Sequence, residues 1–216
     1  MSHYNSLGFV SYKQGAGADE WFSTSKASVE MYLKQTFGAH DREVFFDRHS
    51  ITPGSNWRIE LREGLDRAPI LIPFFSPGYF NSPHCIAELK TFMAREDHLG
   101  LERGTLIHAA RTHDQSQFPD WAQDIQAQPF CQFFLLGPTF DGSTVRHGFD
   151  LALKQFSESA AQKIEKVATT GPLYQDDFPK LPNVHEPISQ NPTLAALFGP
   201  QGAVQQPFQT QGAQGA

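Results

Sequence analysis

Short, uninterrupted apolar runs alternate along this chain with longer segments in which apolar residues recur every three or four positions. LGFVSY, EVFFD and PILIPFF are runs of the first kind, separated by amphipathic stretches near Glu20 to Phe37 and Trp57 to Arg67. The rhythm continues past Ser82 with a helix, the run TLIHAAR, a short helix near Asp120 to Ala127, the run CQFFLL and a long helix from about Thr144 to Val167. Strands apolar on both faces belong in a sheet covered on both faces, and strand–helix alternation implies right-handed parallel crossovers. The pattern predicts an α/β, flavodoxin-like, doubly wound sheet of five parallel strands in the order 2-1-3-4-5, with helices on both faces. After Thr170 the pattern stops: seven of the fifteen prolines fall there with one lysine, and the chain ends in QGAVQQPFQTQGAQGA. Such a segment cannot bury a core of its own, so residues 1–168 are expected to form the domain and 169–216 a mobile Pro/Gln/Gly-rich tail.

Composition narrows the partners. Lys+Arg number 17 against Asp+Glu 23, a net charge of -6, which provides no basic field for a phosphate backbone or an anionic membrane. No apolar run reaches the length of a membrane span, and the N-terminus lacks a basic segment followed by an apolar core. Cys85 and Cys131 form neither a CxxC pair nor a zinc-spaced cluster, and the nine histidines show no HExxH spacing. These features place the protein in the cytoplasm, with no nucleic acid, membrane or metal expected as a partner and no prosthetic group.

In an open α/β sheet the ligand crevice lies at the carboxyl ends of the strands, where the strand order reverses. Here that point falls between the first strand, ending at Ser11-Tyr12-Lys13, and the third, ending at Phe75-Ser76. The segment FFSPGYFNSPHCIAELKTF, residues 74 to 92, then turns into a helix with Ser82 as N-cap and Pro83 in its first turn. At about 100° per residue, Cys85, Leu89, Phe92 and Met93 share one face and His84 and Glu88 its flank, which leaves Glu88 half inside near the crevice. A carboxylate there is a candidate for chemistry; it would equally suit a pair with His84 one turn away, or the positive end of the helix.

Other motifs carry less. GAGAD at 15 to 19 lacks the third glycine of a dinucleotide fingerprint and reads as a flexible loop with Asp19 as helix N-cap. No G-K-[ST] follows it, which excludes a Walker loop, and SYK at the first strand's end lacks the carboxylate cluster of a receiver domain. Cys85 lies on the apolar stripe, about 100° from its neighbour His84, so the two are not arranged as nucleophile and base.

Three segments in order, FVSYK, VFFDRHSITPGSNW and LIPFFSPGYFNSPHCIAEL, resemble the signature segments of Toll/interleukin receptor (TIR) domains, most of all the bacterial ones. TLIHAARTHDQSQFPDWAQDIQAQPF is similar to the family's fourth strand and following loop, and the likeness spans roughly residues 6 to 165. The resemblance implies a flavodoxin-like fold and, as in many microbial members, cleavage of NAD between nicotinamide and ribose, with ADP-ribose or a cyclic form of it as product. The family's glutamate corresponds to Glu88, and the loop His49 to Trp57, with Pro53 and Gly54 at its turn, corresponds to one that encloses substrate and joins one TIR domain to another. Many relatives carry a tryptophan where this chain has His84, a departure that touches the ring-stacking part of the pocket.

On this reading NAD is a substrate. Ser11, Tyr12 and Lys13 are expected at its ribose or phosphates, Asp47 and Trp57 at a wall, Ser76 and Tyr79 at the floor, with His84 alongside. Asp47 would equally cap the loop after its strand, Trp57 anchor the second helix in the core, and Lys13 sit in solvent. The rival reading is a non-catalytic module that acts by homotypic assembly through the loop His49 to Trp57.

Overall fold

The computed structural model describes residues 6–15, 18–37, 43–46, 57–134, 144–170 and 178–181. The elements are β1 (Ser6–Tyr12), α1 (Ala18–Phe37), β2 (Glu43–Phe46), α2 (Trp57–Asp66), β3 (Leu71–Phe75), α3 (Pro77–Phe80), α4 (Pro83–His98), β4 (Ala109–Arg111), α5 (Asp120–Gln123), β5 (Ala127–Pro129) and α6 (Thr144–Thr170). The strands form one sheet in the order β2-β1-β3-β4-β5, and every pair is parallel. This is the doubly wound, flavodoxin-like arrangement expected from the apolar runs.

Alternation along β1 assigns the two layers. Tyr12 stacks on Phe22 of α1 at 4.1 Å, whereas its neighbour Ser11 reaches Glu88 of α4, so α1 and α4 cover opposite faces. Beside α1, α6 brings Phe149 against Trp21 and Phe156 against Phe74, an aromatic layer on one face of β3. On the other face Phe75 meets Tyr79, Phe80 and Phe118.

Two strands depart from expectation for reasons visible in the backbone. TLIHAAR yields only β4 and a single bridge between Leu71 and Ile107. Leu71 bonds Leu106 and His108, and Phe75 bonds Thr112, so Pro73 between them also turns toward this neighbour and has no N–H to donate; the ladder skips there. CQFFLL, read as the fifth strand, forms no strand over its described residues, 131–134. The strand is Ala127–Pro129, an edge where Pro129 does no harm, and Cys131–Phe133 coil into a 3-10 turn. The aromatic run serves the core instead: Phe130 is buried, and the Phe133 carbonyl accepts the Trp21 indole N–H at 2.9 Å. In addition, α1 begins at Ala18, so Asp19 lies in its first turn rather than before it.

A glycine sets how closely α2 approaches the sheet. A Cβ at Gly64 would lie 2.5 Å from Cδ2 of Phe45, whose ring stacks on Phe9. Gly64→Ala is therefore expected to destabilise the domain by about 1–3 kcal/mol in chemical denaturation, with an unchanged midpoint showing that the ring can yield.

Beyond α6, residues 178–181 lie against α4. Phe178 is buried, its ring 5.9 Å from that of His98, and the Pro179 carbonyl accepts from Nε of Arg95 at 3.1 Å. Residues 182–216 lie outside the described residues.

Candidate functional site

Three elements converge where the strand order reverses. Ser11 comes from the carboxyl end of β1, Tyr79 from α3 immediately after β3, and Glu88 from the second turn of α4. Local sequence explains the placement of the last two. Ser76 caps α3, its Oγ accepting from the Tyr79 N–H at 3.1 Å, and Pro77 takes the first helical position. Ser82 caps α4 in the same way through the Cys85 N–H, with Pro83 following, as the sequence predicts. Two capped turns in succession fold the chain back so that α4 crosses β1 and β3.

The resulting contacts are buried. Ser11 Oγ lies 2.5 Å from Oε2 of Glu88 and 3.0 Å from the Tyr79 phenol oxygen, and that phenol lies 3.1 Å from the carbonyl oxygen of Cys85. Glu88 is 2 % exposed, deeper than the half-inside position expected on the helix flank, and Ser11 and Tyr79 are fully buried. The sequence reading missed this depth because polar residues line the same stripe: Glu88, Thr91 and Arg95 are all buried on α4.

The other candidates scatter. Tyr12 faces the opposite side of the sheet from Ser11 and belongs to the core against Phe22; strand alternation, legible in the sequence, separates these neighbours. Lys13 is exposed, its stem near Gly78. Ser76 is engaged as a helix cap, and His84 is partly buried on α4 one turn before Glu88. Asp47 and the loop from His49 lie outside the described residues, and Trp57 is placed only as the first residue of α2. Gly15 has φ 98, the left-handed conformation that glycine favours, and the next two residues of GAGAD lie outside the described residues.

A second buried carboxylate on α4 shows what a structural role looks like. Glu96 Oε1 accepts from the Leu106 N–H at 2.7 Å, and Oε2 accepts from the Gly104 N–H at 3.1 Å and from Arg103 at 3.3 Å. It ties down the link from α4 to β4, and Lys163 of α6 clasps the same link by donating to the carbonyls of Gly104 and Ile107 at 2.6 and 2.7 Å. Burial raises the Glu96 carboxyl above its usual range against these bonds, and burial lowers the Lys163 ammonium. Glu88, by contrast, meets a hydroxyl that itself leads to a second hydroxyl.

A hollow of about 660 Å³ opens between β4, β5 and α6, lined by Arg103, His108, Asp124, Gln128, Ser159 and Lys163 among others. It includes none of Ser11, Tyr79 and Glu88 and lies toward the amino ends of β4 and β5, away from the crevice. His108 there has Nε2 3.0 Å from the Phe156 carbonyl, which can only accept, so Nε2 carries the proton. Burial, then the Lys163 charge, depress this imidazole to about 4, opposed by the bond to Phe156. A folded-state value below the unfolded one gives stability fully present above the usual value of 6.5 and lost as pH falls toward 4. The loss expected is about 3 kcal/mol, and His108→Asn should flatten it in denaturation curves between pH 7 and 4. Glu96 acts oppositely, since a raised carboxyl favours the fold at low pH, so the difference between wild type and variant, and not the wild-type curve alone, isolates the imidazole.

Among the described residues no group of three His, Cys, Asp or Glu side chains is arranged to hold a metal, and no helix is long and apolar enough to cross a membrane. A protein-family model described as "TIR domain" matches residues 9–135, more than half of the chain, from β1 through the 3-10 turn after β5. No curated protein and no solved structure matches the chain.

Proposed function

Because the chain belongs to the TIR domain family, we propose that it cleaves NAD at the bond between nicotinamide and ribose, with Glu88 as the catalytic carboxylate. The observation that carries this reading is the convergence of Glu88, Ser11 and Tyr79 at the switch point of the sheet. As the C–N bond breaks, its electron pair goes to the pyridinium nitrogen, nicotinamide departs neutral, and positive charge develops on the ribose. A neutral leaving group needs no general acid, so one carboxylate suffices where ordinary glycoside hydrolysis uses two. Water adding at the anomeric carbon and losing a proton gives ADP-ribose; attack by a nitrogen of the adenine ring gives a cyclic product.

With Glu88 2 % exposed, substrate reaches the carboxylate only if the elements around it part, and homotypic assembly through the loop His49 to Trp57 is the driver this reading assigns. Contacts of that kind are head-to-tail and can grow into open filaments. Concentrated protein incubated with NAD is expected to release nicotinamide together with ADP-ribose species, followed by chromatography. No release at any protein concentration would count against the enzyme.

The same burial favours a second reading, a non-catalytic assembly module in which Glu88 only holds α4 to β1. Gly54→Pro separates the two: a module loses assembly alone, whereas an enzyme completed by its neighbour loses assembly and nicotinamide release together.

A further inference from the structure

We infer that Ser11 and Tyr79 are positioning residues that act on substrate through Glu88, Ser11 bonding the carboxylate and the Tyr79 phenol lying between Ser11 and the Cys85 carbonyl; this rests on the NAD-cleaving reading above. Each hydroxyl has one proton, so the phenol, which meets both the Ser11 oxygen and the Cys85 carbonyl, donates to one of them at a time. An ionised carboxylate only accepts, so Ser11 donates to Oε2 of Glu88 across 2.5 Å, a spacing typical of a hydroxyl bonded to an anion. The Ser11 oxygen is then left to accept, and the Tyr79 phenol donates either to it at 3.0 Å or to the Cys85 carbonyl at 3.1 Å. If Glu88 takes up a proton the chain reverses: the carboxyl donates to Ser11, Ser11 to the phenol, and the phenol to the Cys85 carbonyl at 3.1 Å. Every proton has an acceptor in both states, and no group moves. Hydroxyls outside such a chain would pay for burial without aiming anything.

The placement turns the pair inward. Ser11 and Tyr79 are both fully buried, Ser11 between β1 and α4, Tyr79 against Phe75. In this arrangement their oxygens lie against Glu88, the Cys85 carbonyl and each other. Their effect on the reaction is to hold Oε2, and with it the plane of the carboxylate, before substrate arrives.

The test uses the full chain with Ser11→Ala, Ser11→Thr, Tyr79→Phe and the double variant Ser11→Ala/Tyr79→Phe. Ser11→Ala is expected to lower kcat for nicotinamide release about 10- to 100-fold with KM nearly unchanged. Ser11→Thr should restore most of it, and Tyr79→Phe should cost less than Ser11→Ala. The double variant should be no slower than Ser11→Ala alone if the phenol reaches Glu88 through Ser11, the route that the contacts describe; independent structural losses would multiply. A kcat unaffected by Ser11→Ala, or multiplying losses, overturns the inference. A readout independent of turnover is the Ser11 hydroxyl proton in NMR, expected as a slowly exchanging downfield resonance that shifts in Tyr79→Phe and vanishes in Ser11→Ala. Its absence from the wild type overturns the chain even in an active protein. Its presence in a wild type that releases no nicotinamide overturns the catalytic reading and leaves the chain standing.

Discussion

Glu88→Gln is expected to lower nicotinamide release about 100- to 1000-fold at matched protein concentration while leaving the domain folded. Glutamine is the informative substitution because its amide oxygen can still accept from Ser11, so the buried contact at 2.5 Å survives in kind and only the charge is removed. The size of the effect follows from where the charge sits. In water a carboxylate near a developing cation is worth about 1 kcal/mol at 4 Å; at a site 2 % exposed the same charge acts through a medium that screens it far less. Glu96→Gln is the matched control. Its oxygens are occupied by Leu106, Gly104 and Arg103, so its loss should appear in thermal stability and not in kcat. Equal release by wild type and Glu88→Gln, with both folded, would leave α4 a structural helix and the chain an assembly module.

Much of this arrangement can be read from the chain before any coordinates, and the parts that cannot share a cause. Parallel strands buried on both faces write themselves as continuous apolar runs, so LGFVSY, EVFFD and PILIPFF locate β1, β2 and β3. Strand order then places Glu88, since the helix after the third strand must start beside the switch point. What fails is reading hydrophobicity as a proxy for strand at the sheet's edge. CQFFLL is the more apolar segment, yet Ala127–Pro129 pairs with β4 while the phenylalanines fill the space under α1 and α6. The interruption at Pro73 was open to view but its consequence was not, because which way a strand residue turns its N–H depends on register. Amphipathic analysis assigns polar side chains to solvent, so it missed that α4 buries Glu88, Thr91, Arg95 and Glu96. Depth came from tertiary partners up to 84 residues away.

Arg95→Met is expected to destabilise the domain by about 3–5 kcal/mol, the largest loss of stability among the changes considered. The guanidinium is buried and reaches three parts of the chain: Nη1 donates to the Leu65 carbonyl at 3.0 Å, Nη2 to Oδ1 of Asp66 at 2.6 Å, and Nε to the Pro179 carbonyl at 3.1 Å. Methionine fills much of the same volume between the rings of Phe92 and Phe178, so the deficit comes from acceptors left behind and not from a cavity. Arg95→Lys keeps the charge but not the planar fork that serves three directions at once, and should lie between the two. Cleavage by trypsin after Lys180 should quicken in Arg95→Met, because Pro179 loses its hold on α4; cleavage at the wild-type rate would mean Phe178 alone retains that segment. Glu88 and Arg95 stand seven residues apart on one stripe of α4, so the clasp on α2 and residues 178–181 also fixes the height at which the carboxylate meets Ser11. Arg95→Met should therefore weaken the Ser11 hydroxyl resonance at temperatures well below its own unfolding, and a resonance unchanged up to that point would show that the two ends of α4 are held independently.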